Sequence, residues 1–506
     1  MKIVIIIGLA IAAAAPTVAA TTIPATLKAR LTTSAAAMAD PDSIEPSRQV
    51  DLARAHLALC VEAWGAASPQ TAACEMELGR TLLVEVFPVE AKSVLTNAIA
   101  HLGPAPEPQV LARAQSLLGE ALSWQGKDEE ALGLITSALA VQTDPAQRSL
   151  TLRRQATVMS AQGKLPEQQA AITAARRLAE TSALTVHDRA LLDMAAGLNE
   201  VTRHPAQAVS LNRAALAKME QRFGATDSRL GFPLGRLGDA VFVAEGHMAS
   251  EPFRERALAI ERARPRPNPR RETAALVDLS GVWAASGRLI PAMMILKEAV
   301  ARSEAEGTDG LLAPRLRRLG EMQAQAGQLE AAIGSLERAV SASEAKTGRN
   351  SATTGYILLT LARTYGRVGR AADAEAAARR AVVIREQLYG PNQIVTLTAR
   401  AVLGGLLLDK NPAEAVRLIE PAVAAIAAQF GNEHPRTQQY RALLAAALAK
   451  SGQPEAAITE IDTSIGVLRQ PLLGTQILNS VGSELGLGWS NDVFDALKAA
   501  VFWLPA

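Results

Sequence analysis

Aromatic side chains make up only 3% of this 506-residue chain, and cysteine occurs twice. So few rings supply no base-stacking platform, and 52 Lys plus Arg against 50 Asp plus Glu give no electrostatic case for nucleic acid. Histidine is scarce too. His56, His101, His187, His204, His247 and His434 are dispersed, with no His-Glu-x-x-His or paired metal spacing. Two cysteines without a Cys-x-x-Cys motif argue against a structural zinc, and no metal or other cofactor is expected. Gly-x-Ser-x-Gly is absent, so there is no serine-hydrolase elbow. Gly126-Lys127 lacks the spacing of a phosphate loop, and Asp128 stands where a Ser or Thr is needed. A non-catalytic chain without a small-molecule substrate is the expectation. No run of residues reads as a strand, and with hydrophobic residues at 49% burial must rest on Ala, Leu, Val and Ile.

What is present is a repeat. Gly-polar or equivalent turns fall near Val86, Gly126, Gly163, Arg203, Gly246, Gly287, Gly327, Gly369, Lys410 and Gly452, about 37 to 43 residues apart, a period that belongs to helical arrays. Five residues after most turns stands an alanine (Ala91, Ala131, Ala208, Ala292, Ala332, Ala374, Ala415, Ala457), and seven residues later comes another small residue, from Ala98 to Ala422. A third small position precedes most turns by seven, as in Gly79, Gly119, Ala156, Ser280, Gly320, Ala362 and Ala445. These offsets put small residues on one helix face, so two antiparallel helices can approach closely. The unit turning at Gly246 fits worst. Glu251 and Glu255 fall where apolar or small residues are expected, which predicts a register slip of one or two residues.

This pattern resembles the tetratricopeptide repeat family, most clearly over Ala313 to Ala339, Gly355 to Ala381 and Arg441 to Ser464. Segments such as Ala381–Asn392 and Gln429–Pro435 resemble the longer kinesin-light-chain type of unit. The resemblance implies an all-α fold, an α-α superhelical solenoid of about ten helical hairpins whose first, or A, helices line a groove. The resemblance also places Tyr356, Leu359, Arg363 and Arg367 along one A-helix stripe, with Arg317 and Glu321, then Arg400, on adjacent units. Arginines in such a row can hold carboxylates, and Tyr356 adds an aromatic contact, so the implied partner is a peptide or protein segment. The paired Asn and Lys of the family's peptide clamps are not visible.

Around the array, residues 1–20 have the layout of a signal peptide cleaved after Ala19 or Ala20: Lys2, the apolar run Ile3–Ala15, then Pro16 and small residues. Export to a periplasmic or secreted location follows as an expectation. Residues 21–46 read as a weakly ordered leader, residues 47–470 as the repeat array, and residues 471–506 as C-terminal capping helices. Cys60 and Cys74 flank the Gly65–Pro69 turn about symmetrically. They can either form a disulfide or remain two buried thiols. The proline-rich segment Arg262–Arg271, with five arginines, reads as a solvated loop or a site for an acidic partner. The function these features support is an exported interaction scaffold; the alternative is the sensor or regulatory arm of a separate effector enzyme, such as a caspase-like peptidase or a signalling kinase.

Overall fold

The computed structural model describes residues 23–468, apart from Gly163, Thr202 and residues 308–310. The expected signal peptide and capping helices lie outside the described residues. Among the described residues there are 22 α-helices and no strand, in two compact units divided between Gly287 and Arg288. The N-terminal unit opens with α1 (Ala25–Ala37) and α2 (Pro46–Trp64). Five hairpins follow: α3 (Pro69–Val84) with α4 (Pro88–His101), α5 (Pro108–Ser123) with α6 (Asp128–Val141), α7 (Pro145–Ala161) with α8 (Leu165–Glu180), α9 (Val186–Glu200) with α10 (Pro205–Phe223), and α11 (Gly231–Glu245) with α12 (His247–Arg262). Helix α13 (Pro269–Ala285) ends it. The C-terminal unit begins with α14 (Leu289–Glu306). It then pairs α15 (Leu312–Gln325) with α16 (Leu329–Thr347), α17 (Ala352–Arg367) with α18 (Ala371–Tyr389), α19 (Ile394–Leu406) with α20 (Pro412–Phe430), and α21 (Pro435–Lys450) with α22 (Pro454–Leu468). Odd-numbered helices from α3 onward are the A helices.

Local chemistry sets the helix ends. Proline occupies the first position of α2, α3, α4, α5, α7, α10, α13, α20, α21 and α22, where its missing N–H costs nothing. Ser68, Asp144, Thr185, Asn268 and Ser351 cap A helices by accepting a backbone N–H with their side chains.

The small positions lie at the helix crossings. Ala91, Ala131, Ala332 and Ala374, and Ala98, Ala138, Ala339 and Ala381, are all 0% exposed. Some crossings nevertheless admit one large side chain, because a glycine faces it. A Cβ on Gly79 would lie 2.5 Å from the Leu95 side chain, one on Gly119 2.7 Å from Ile135, and one on Gly320 2.7 Å from Leu336. The hairpin at Gly246 is slipped by one residue: Ser250 and Ala257 take the buried small positions, and Ser250 Oγ donates to the Gly238 carbonyl at 3.0 Å.

Two expectations about the N-terminal unit are corrected. The leader is helical from Ala25 to Ala37, and Leu27 and Leu31 cover Cys60 and Cys74, which are joined by a disulfide with Cα atoms 6.7 Å apart. In the chain-entropy model a bridge over so short a loop contributes about 3 kcal/mol. The Arg262–Arg271 segment is only partly solvated: Arg262 and Arg266 are exposed, but Arg264 and Asn268 are buried and bonded within the fold. Arg264, with a side chain 1% exposed, donates from Nη2 to both Glu85 carboxylate oxygens at 2.7 and 2.9 Å, and Asn268 Nδ2 donates to the Glu85 carbonyl at 2.6 Å. Arg271 donates to the Val84 carbonyl, and Arg266 pairs with Asp51.

More contacts join the same distant parts of the chain. Asp42 accepts from the Val186 N–H at 2.9 Å, and its carbonyl accepts from Arg229 at 2.9 Å; Ser228 Oγ donates to Glu45 at 2.8 Å. The N-terminal unit therefore closes on itself, the residues that open or precede its fourth, fifth and sixth A helices reaching back to Asp42, Glu45 and the end of its first. Val86, in the turn beside Glu85, has φ +61° where other turns use glycine, a conformation that costs a β-branched residue roughly 1–2 kcal/mol.

Breaking a buried pair leaves one charge uncompensated, whereas replacing both partners with apolar groups is often nearly neutral. Glu85→Ala should destabilise the protein by about 3–5 kcal/mol in urea unfolding, and Glu85→Leu with Arg264→Met by far less. A cost below about 1 kcal/mol for the single substitution would mean that the closure does not depend on this pair.

Candidate interaction surfaces

On α17 the residues that share a partly exposed face are Tyr356, Thr360, Arg363 and Arg367, spaced by four, three and four, with only Tyr356 fully exposed. Leu359 does not belong to it. At 5% exposure it is part of the core with Leu358, Ala362 and Ala381, so the expectation that it lines a groove is corrected. Helix α17 packs against α15, α16, α18 and α19, and residue 359 belongs to its buried side.

The remaining stripe residues differ in what they have left to offer. Tyr356 is 49% exposed, and the Arg317 guanidinium lies 4.7 Å from its ring centroid while also pairing with Glu321. Thr360 Oγ1 donates to the same Glu321 carboxylate at 3.5 Å. Arg367 Nη1 donates to the Ala324 carbonyl at 2.9 Å, and Arg400 holds Glu386 through Nε and Nη2 at 2.9 and 2.6 Å, so both are largely committed within the fold. Arg363 is not. Its Nε is buried without a hydrogen-bond partner, and its nearby charge adds to the effect of burial in pushing the Arg385 pKa down. Arg385, on α18, spends one donor on the Val395 carbonyl at 2.6 Å. Sequence reasoning missed Arg385 because it looked only at A helices.

The A helices of the N-terminal unit carry a second charged face. Arg80 and Arg363 each follow their helix's small crossing residue by one position, as do Glu120 and Glu321. Arg80 binds Glu77 at 2.6 Å, and Arg113 lies 3.6 Å from the other Glu77 oxygen. Arg154 Nε and Arg153 Nη2 hold the two oxygens of Glu120 at 2.5 and 3.1 Å. Burial opposes the Glu120 charge, but Arg154 and Arg153 outweigh it and bring its pKa to about 2. His187, desolvated among arginines, falls to about 4, and burial also lowers His56; the Nδ1 of each is buried without a partner. Both imidazoles are therefore neutral near pH 7. His56 also lies with Cys60 and Cys74 in a cluster of metal-ligand type, but the disulfide occupies both sulfurs.

The tetratricopeptide repeat family model matches residues 354–394, the α17–α18 hairpin with the loop that follows. That hairpin is a tetratricopeptide repeat. The other tetratricopeptide-like hairpins share its small-residue crossing, in units of kinesin-light-chain length. No curated protein matches the chain. Among solved structures, the apo form of RapI is similar at 13% identity and a TM-score of 0.49, over 78% of this chain and 96% of that one. A Rap protein complexed with competence and sporulation factor matches at 10% and 0.49 over 81% and 99%. The apo quorum sensor NprR from B. thuringiensis matches at 11% and 0.47 over 78% and 97%.

Because the Glu120 pKa is depressed when folded, its contribution to stability is complete above the ordinary carboxylate pKa near 4.5 and is lost as the pH falls toward 2. Glu120→Gln should be less stable than the parent at pH 6 by up to about 3 kcal/mol, with the gap closing toward pH 2. Urea titrations at the two pH values check this, and a gap that does not change with pH would contradict the ion-pair assignment.

Proposed function

We propose that this protein is an exported, non-catalytic scaffold that holds a peptide or protein segment across the A-helix face of its C-terminal tetratricopeptide unit, where the concave groove of such repeats lies. One observation carries the reading: Arg363 stands on a partly exposed stripe with Tyr356, its Nε buried and unpartnered, beside a second arginine, Arg385. A buried donor without a partner costs about 1–3 kcal/mol. A carboxylate or backbone carbonyl from a bound segment would recover that cost, and Tyr356, half-exposed under Arg317, supplies the aromatic anchor common at interfaces. Because the helices are ordered before binding, little further ordering cost falls on the protein. Arg367 and Arg400, already bonded within the fold, act by fixing the surface rather than by reaching the ligand.

Affinity capture from the exported fraction, with intact-mass measurement of the captured chain, tests both parts. Mature protein should lack residues 1–19 or 1–20. Arg363→Gln and Tyr356→Ala should each weaken the captured partner at least ten-fold, about 1.4 kcal/mol or more, while Arg338→Gln, an exposed arginine on a B helix, should not. A partner retained equally by all three variants would defeat the surface assignment, and a chain that keeps residues 1–20 would defeat export by cleavage.

A further inference from the structure

We propose that His56, Cys60 and Cys74 form a redox-gated metal site: in the oxidised chain the two sulfurs are the disulfide, and in the reduced chain they join the His56 imidazole in holding one Zn²⁺ ion. The site does not depend on the α17 stripe.

The three ligands are already gathered. A ring nitrogen of His56 and the two sulfurs lie within 4.8 Å of one another. His56 and Cys60 stand four residues apart on α2, which puts them on one face, and Cys74 meets that face from α3. No Cys-x-x-Cys is needed, because the second cysteine comes from the next helix. Zinc–sulfur bonds of about 2.3 Å would put two thiolates on a tetrahedral ion about 3.8 Å apart. The Cα atoms of the two cysteines are 6.7 Å apart, at the wide end of the range for a disulfide. After reduction the sulfurs can therefore separate by side-chain rotation, with the helices left where they are.

Two further observations point to a ligand. The His56 Nδ1 is buried without a hydrogen-bond partner, a ring nitrogen that no protein group satisfies. The sulfurs pack with Leu27 and Leu31 of α1 and with Leu57, Leu59 and Ala63 of α2, so the net charge of the site decides which ion it takes. Two thiolates and a neutral imidazole carry two negative charges. A divalent ion makes the site neutral, whereas a monovalent one leaves a charge in apolar surroundings. Thiolate and imidazole donors suit zinc rather than magnesium or calcium, which take oxygen ligands. Three protein ligands leave the fourth position of a tetrahedral ion to water.

The two states interconvert by thiol–disulfide exchange with a dithiol reductant. Its thiolate attacks the sulfur of Cys74, the more accessible residue at 8% exposure against 0% for Cys60, and the Cys60 sulfur leaves as a thiolate. The second thiolate of the reductant then displaces Cys74, so the reductant ends as a disulfide and the protein as a dithiol. Zinc binding releases one proton from each thiol. Either state ties α2 to α3, one through a covalent bond and the other through the metal.

The test uses the full chain, reduced without oxygen by a phosphine, which becomes a phosphine oxide at the expense of water and leaves two thiols. It is titrated with Zn²⁺ against a chromophoric chelator and, in parallel, with Co²⁺. The reduced chain should take up one zinc, and its cobalt form should show thiolate-to-metal charge transfer and tetrahedral ligand-field bands; the oxidised chain should do neither. Because the chain has only two cysteines, the charge transfer reports on this site alone. His56→Ala should bind zinc at least ten-fold more weakly and alter the cobalt spectrum, while His204→Ala, at an exposed histidine, should match the parent. Cys60→Ser with Cys74→Ser should abolish uptake. Circular dichroism follows folding: if reduction lowers the helix content, zinc should restore it, and if the double variant does not fold, His56→Ala decides. Three results would overturn the proposal: no stoichiometric zinc in the reduced chain, equal uptake by the oxidised chain, or parent-like affinity in a folded His56→Ala. Failure of zinc to restore lost helix would overturn it as well.

Discussion

Every hairpin depends on a close approach of two helices through a glycine, alanine or serine. Where Gly79 meets Leu95, or Gly320 meets Leu336 and the Ala332 carbonyl, the backbone of one helix is in contact with the side chain of the other. That contact fixes which face of each A helix is buried, and so which face is left over. The chain has few aromatics to fill wider gaps, so the approach must be tight. Thr360 and Arg363 on α17, and Arg80, Glu120 and Arg154 on α3, α5 and α7, lie one or two residues from a small crossing position. Charged chemistry is thus displayed by a core built almost entirely of aliphatic side chains.

Polar contacts add a second level of organisation to the N-terminal unit. Crossings alone build a stack with open ends. Here the ends are joined by the Arg264–Glu85 pair, by Asn268 on the Glu85 carbonyl, and by Asp42 on Val186 and Arg229. A fully buried ion pair contributes little net stability over an apolar alternative, but it fixes one arrangement, because a slipped one would strand both charges. The positive φ of Val86 fits this picture, since it holds the Glu85 turn where Arg264 and Asn268 can reach it. In the same unit the disulfide ties α2 to α3 beneath α1.

The repeat was legible in the sequence because small residues recur at fixed offsets from the turns, and nearly all of them are buried. The cysteine symmetry was legible for the same reason, although spacing alone left bridge and thiols equally open. Other features were not. Leu359 and Thr360 are neighbours, and only the packing of the four helices around α17 decides which of them faces outward. Five arginines among prolines look solvated until a glutamate 179 residues away is placed beside one of them. Local pattern carries no information on such a pairing. The arginine face of the N-terminal unit was overlooked because Arg80, Arg113 and Arg154 are scattered through three repeats whose overall charge is unremarkable. The leader was misjudged because its Thr, Ser and Ala content hides Leu27 and Leu31, four residues apart on one helical face.

The direct test of the tight crossing is one substitution made at two places in the α15–α16 hairpin. Gly320 sits at the crossing, where a Cβ would come within 2.7 Å of Leu336, whereas Gly334, on the outer face of α16, has nothing within 4 Å. Urea unfolding of Gly320→Ala should show a loss of about 1–3 kcal/mol from overpacking, and Gly334→Ala a gain of about 0.5–1 kcal/mol from helix propensity. Gains of equal size at both positions would contradict the close approach on which the rest of the fold is built.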